Sequence, residues 1–133
     1  MDWDLTSLME LYCVAAVLKD DRVRDLVMDY WRRLFKRNTG LELELGDISN
    51  LFHSTESDDP ARMFWAAVLC ASGVTKSFLL SDEDCHTSLI DLVEEVDLRG
   101  DLKRPWLWND GEFCQEFHNH IGQGDCHWEE VRN

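Results

Sequence analysis

The chain has no apolar run long enough to cross a bilayer: even "MFWAAVLCASGV" falls short of the roughly 18–20 residues a spanning helix needs. Its opening residues, "MDWDLTSL", carry neither the basic n-region nor the apolar h-run of a secretory signal. Its five cysteines are odd in number and irregularly placed. The expectation is therefore an intracellular protein of the cytoplasm or nucleus, without a membrane partner. There, neighbouring thiols serve metal or redox chemistry more often than stable disulfides. Catalytic signatures are missing as well. There is no nucleophile elbow, no glycine-rich phosphate loop and no HExxH, so an enzyme is not expected. Basic residues are scarce, 13 against 27 acidic for a net charge of −14, which argues against direct binding to nucleic acid. No internal repeat or low-complexity run is visible. The one alternating segment, "LELELGD", has no second strand to pair with, which excludes a sheet.

What is present describes a packed domain. A length of 133 residues suits one domain with its own core, and six Trp with six Phe are too many large aromatics for a disordered acidic tail. Acids and bases balance over residues 1–40, so the acidic excess lies beyond, in "ELELGD", "ESDD", "SDED" and "DLVEEVDLRGD". Solvated helix faces and favourable charges at helix N-termini account for such runs. A basic partner, or mimicry of nucleic acid, is the alternative they leave open.

Every long apolar pattern has the helical period, so the fold expected is all-α, a single compact domain of five or six helices with a Cys/His-containing C-terminal tail. Asp4 is placed to cap a first helix carrying Leu5, Leu8, Leu11, Tyr12, Ala15 and Leu18 at helical spacing. After "KDD", Asp21 is placed to cap a second. Its stripe reads Val23, Leu26, Val27, Tyr30, Trp31 and Leu34, with Arg32, Arg33, Lys36 and Arg37 complementing the dipole near its end. "LELELGD" reads as an extended connector into a short helix at "DISNLFHS". In "SDDPARMFWAAVLCASG", Asp59 caps, Pro60 takes the first helical position and Gly73 stops a helix so apolar that it belongs in the middle of the domain. "LLSDEDCHTSLIDLVEEVDLRG" predicts a helix opened by Ser81 and Asp84, burying Leu89, Ile90, Val93 and Val96, and stopped at Gly100. "RPWLWND" breaks the pattern before a last short helix at "DGEFCQEF". Three stretches follow: a helix pair over 1–37, central helices over 46–100, and a Trp/Cys/His tail over 105–133.

That tail holds the most specific chemistry. Cys114 and His118 are four apart, so a helix puts both on one face; His118 and His120 converge in extended chain; and the glycines of "IGQG" let Cys126 turn back toward them. Two thiolates and two imidazoles suit tetrahedral zinc, and four protein ligands would make the site structural. His127 could replace one ligand. Against this stands a simpler reading in which Cys114 and Phe117 are core and the histidines are surface groups. Cys13 and Cys70 read as small buried hydrophobes.

The stretch "LTSLMELYCVAAVLKDDRVRDLVMDYWRRLF" resembles the helix pair that follows the BTB/POZ core in many fungal BTB-domain proteins. The remainder, with an acidic helix, a "PW" and a Cys-x3-His-x-His-x5-Cys ending, is similar to the C-terminal region of the same proteins. The resemblance implies a BACK-like helical module, with the helices from Leu5 to Phe35 on the side that would pack against a BTB core. No counterpart of that core is found in these 133 residues, so the resemblance points to an isolated C-terminal module.

The function expected is a non-catalytic protein–protein interaction module. Trp106 and Trp108, on the Pro-broken loop, are the candidate partner contacts, since Trp is enriched at binding hot spots. The alternatives are the substrate arm of a cullin-type ubiquitin ligase adaptor and an acidic mimic of nucleic acid acting on a basic protein.

Overall fold

A computed structural model describes residues 4–37, 44–83, 85–100 and 104–118. Among these the chain is all-helical, with no strand: α1 (Leu5–Leu18), α2 (Asp21–Arg37), α3 (Leu45–Ser54), α4 (Pro60–Ala71), α5 (Lys76–Leu80), α6 (Thr87–Arg99) and α7 (Asp110–Phe117), plus a 3-10 turn at Pro105–Leu107.

Local sequence sets most boundaries. The Asp4 carboxylate accepts from the Ser7 N–H at 2.7 Å and starts α1. Lys19 then takes a left-handed conformation (φ 57°), and its N–H reaches the Ala15 and Ala16 carbonyls, closing the helix and reversing the chain. The cap of α2 is Asp20, one residue earlier than expected, through its bond from the Val23 N–H at 3.1 Å. Asp59 and Pro60 open α4, and Gly73 (φ 86°) and Gly100 (φ 69°) follow the ends of α4 and α6 in the positive-φ region that glycine tolerates best. Helix α3, expected from Asp47, begins two residues earlier, so that Leu45 and Gly46 of the expected connector belong to its first turn.

Helix α4 is the centre, as its apolar circumference requires. Ala61 and every residue from Phe64 to Leu69 are buried. Trp31 of α2 stacks on Phe64 (6.1 Å between centroids) and meets Trp65 edge-on (5.2 Å). Tyr12 of α1 stacks on the other side of Trp31 at 5.1 Å. Phe113 and Phe117 of α7 meet Phe64 edge-on at 6.2 and 5.8 Å. Such contacts are worth roughly 0.5–1.5 kcal/mol each beyond the area they bury. Helix α6 lies along α4 through Leu89, Val93 and Val96, and the Cys70 thiol donates to the Val93 carbonyl at 3.4 Å.

Three further features differ from the sequence reading. The buried face of α2 is Asp25, Val27, Met28, Trp31, Arg32 and Phe35, while Leu26 is 45% exposed. The stripe is rotated because the Arg32 guanidinium is drawn inward. It lies 4.6 Å over the Phe113 ring, donates to the Trp108 carbonyl and pairs with Asp110 at 3.2 Å. Leu18, expected on the inner face of α1, is exposed. Finally, Ser81 does not open α6. It closes the short helix α5, which Thr75 caps, and α6 begins at Thr87 with His86 as its cap. Asp84 lies outside the described residues.

Candidate functional site: the outer face of α1

Helix α1 has only three polar residues, Thr6, Ser7 and Glu10, in "LTSLMELYCVAAVL". Its inner side buries Leu8, Met9, Tyr12 and Ala15 against α2 and α3. A helix apolar nearly all round requires cover on more than one side, yet Val14, Val17 and Leu18 are 55%, 69% and 72% exposed. Spaced i, i+3 and i+4, they form one contiguous patch at the C-terminal end of α1. No other part of the described surface places three large exposed aliphatics within two helical turns.

The patch stands on a stiff base. Directly behind it, the Tyr12 hydroxyl donates to Asp59 Oδ1 at 2.5 Å, and Arg24 donates to Asp59 Oδ2 at 2.8 Å while also pairing with Asp21. Asp59 Oδ1 also accepts from the Ala61 N–H at 2.9 Å, so one buried carboxylate caps α4 and ties α1 and α2 to it. A second arginine does the same for α3. Arg62 donates to the Phe52 and Thr55 carbonyls at 2.7 and 2.6 Å, placing a cation at the carbonyl end of that helix. With the N-terminal end of α4 tied to α1, α2 and α3, α1 is presented rather than free to fold away.

The expected site residues are placed as follows. Cys114, expected as a metal-binding thiolate, is buried on α7 with its sulfur in a disulfide, one turn before His118, whose backbone N–H donates to the Cys114 carbonyl at 3.1 Å. His118 is not a surface group. It is 4% exposed, with Nε2 2.6 Å from Asp29 Oδ1 of α2. His120, Cys126 and His127 lie outside the described residues, and among the described residues no three His, Cys, Asp or Glu side chains are gathered for a metal ion. Trp106, expected as a partner contact, is 3% exposed and packs on Phe35 at 5.3 Å and Phe64 at 6.3 Å, so it is a core residue. Proline 105 sets the 3-10 turn that points this ring inward. Trp108 is half-buried against Phe117.

Other chemistry is sparse among the described residues. Cys13, Cys70 and Cys85 are free thiols, and burial raises the Cys13 and Cys85 values above an ordinary thiol, which keeps the nucleophilic thiolate scarce. A cavity of about 200 Å³ lined by Phe35, Val68, Ala71, Ser72, Arg104 and Trp106 is smaller than the roughly 300–1,000 Å³ of typical small-molecule sites. No described helix is long and apolar enough to cross a membrane. The outer face of α1 was legible in part, because "CVAAVL" has no polar residue to mark a solvent side.

No family model, no curated protein and no solved structure matches the chain.

Proposed function

We propose that the chain is a non-catalytic protein–protein interaction module whose contact surface is the outer face of α1. The observation that carries the reading is the exposed Val14–Val17–Leu18 patch on a helix anchored from behind by the Tyr12–Asp59–Arg24 network. The occupant that fits is a protein surface with an apolar ridge, of the kind that an amphipathic helix supplies. This agrees with the resemblance to the helix pair after a fungal BTB core, in which the same side would face that core. A role as the substrate arm of a cullin-type ligase adaptor would be a special case, detected as a cullin that co-purifies with the chain. The test is capture of partners by the tagged chain at low and at high salt. An apolar contact is retained in high salt, whereas mimicry of nucleic acid by the acidic surface predicts that binding collapses.

We propose a second, independent role for the end of the chain once the disulfide at Cys114 is reduced: a structural zinc held by Cys114, His118, His120 and Cys126. The supporting observation is Asp29, which holds the His118 ring by Nε2 and fixes its orientation.

A further inference from the structure

Two histidines far apart in sequence meet where α3 and α6 come together. The His53 ring, in the last turn of α3, lies 4.8 Å from the His86 ring in an edge-on arrangement, and Phe52 packs on His86 at 5.8 Å. His86 is the N-cap of α6, a position that Ser, Thr, Asp or Asn usually fills. Its Nδ1 accepts the Ser88 N–H at 3.1 Å, and its own backbone N–H donates to the Ser49 Oγ of α3 at 3.2 Å. The imidazole can accept at Nδ1 only while that nitrogen carries no proton.

We propose that the His86–His53 contact is an acid-sensitive latch: protonation of His86 removes the cap of α6 and releases its first turn from α3. An imidazolium carries N–H at both nitrogens, so the Ser88 N–H would lose its acceptor. The new charge would also sit at the positive end of the α6 dipole, where a cation is unfavourable. The first turn of α6 has no acidic residue to offset it. The groups that face the ring add to the penalty. From α3 comes His53 and from α4 the Arg62 guanidinium, both of which act against a charged His86. Asp58 and Asp59 act on Arg62, and Asp82, in the turn before His86, acts on the neighbouring Cys85 thiol.

Burial, seconded by His53 and Arg62, holds His86 below the ordinary imidazole value of 6.5 in the folded chain. The unfolded chain therefore takes up the proton first. The contribution to stability is complete above pH 6.5 and is lost as the pH falls from there through the lower folded value. The residues released, Leu89 and Ile90, are buried ones, so opening the latch would expose apolar surface at the α3–α6 junction.

The test compares wild type with His86→Asn, whose amide oxygen can still accept the Ser88 N–H but does not titrate. Between pH 7.5 and pH 5, the wild-type melting temperature should fall by about 4 °C more than that of the variant, the shift that loss of one helix cap gives a domain of this size. Amide exchange at Ser88, Leu89 and Ile90 should quicken in acid in wild type alone. Contributions from histidines that do not touch His86 are common to both proteins and cancel. His53→Gln should raise the NMR titration midpoint of His86 toward 6.5. Parallel melting curves would overturn the proposal. So would a wild-type His86 midpoint at or above 6.5, a measurement that decides the matter even if His86→Asn does not fold.

Discussion

The aromatic centre around α4 and the edge formed by α5 and α6 are held in different ways. At the centre, rings from α2, α7 and the 3-10 turn converge on Phe64 and Trp65, and Tyr12 of α1 backs Trp31, so each side chain is fixed by several elements at once. The edge has no such convergence. Helix α6 packs chiefly on α4 through Leu89, Val93 and Val96, with lesser contacts to α5 and α3, and Leu79 secures α5, while Phe78, Leu80 and Leu98 face solvent. The Lys76–Glu94 pair that ties α5 to α6 joins two half-exposed side chains, and surface pairs of this kind add little. The centre should therefore respond to damage as one cooperative unit, and the edge by local opening.

The largest expected effect tests that contrast directly. Trp31→Ala, at the junction of Tyr12, Phe64 and Trp65, should cost about 3–5 kcal/mol by urea denaturation, whereas Leu98→Ala on the edge should fall within about 0.5 kcal/mol of wild type. Leu26→Ala, on the same helix as Trp31, belongs with Leu98 in this measurement. A cost for Leu26 similar to that for Trp31 would mean that the buried face of α2 is the one its apolar residues spell out.

Next in size is the polar anchor. Asp59→Ala removes the α4 cap and the carboxylate that Arg24 and the Tyr12 hydroxyl share, at an expected cost of about 3 kcal/mol. Asp59→Asn should recover part of this by keeping an acceptor for the Ala61 N–H. Equal losses in the two variants would show that charge alone matters.

These two sites also mark where sequence reasoning succeeds and where it stops. The Asp59–Pro60 opening of α4, the Asp4 cap, the glycines after α4 and α6 and the span of α7 are written in adjacent residues, and local rules read them directly. The rotation of α2 is not local. It depends on Arg32 meeting Trp108 and Asp110, more than 70 positions away, and a periodicity that counts arginine as a solvent residue must misplace the stripe. His86 was hidden for a similar reason. Ser81 is the better cap by preference, but it is already used to close α5, and the histidine that replaces it is held from α3 by His53 against its ring and Ser49 on its backbone N–H. Trp106 was misjudged because a proline-broken loop reads as exposed, although the same proline directs the ring into the core. The partner His118 finds in Asp29 lies 89 residues away, which no local spacing reveals.

A smaller effect, confined to one end, separates the zinc proposal from the body of the fold. The purified chain, once reduced, should carry close to one zinc, and Ser at Cys114 or Cys126 should release it, whereas Cys13→Ser should not. Chelation should leave the helical content and the Trp31-dependent core intact, because that core is large enough to stand alone. Metal-free protein with five reactive thiols would sink the proposal.

The smallest effect on stability is expected where the effect on function is greatest. Val17→Glu with Leu18→Glu alters two side chains that already face solvent, so the melting temperature should stay within a few degrees of wild type. The measurement is quantitative capture of bound proteins by this double variant, by wild type and by Leu98→Glu as a surface control. If the outer face of α1 is the contact surface, the partner is lost from the double variant and kept by Leu98→Glu. A partner retained by a folded double variant at wild-type level would contradict the account.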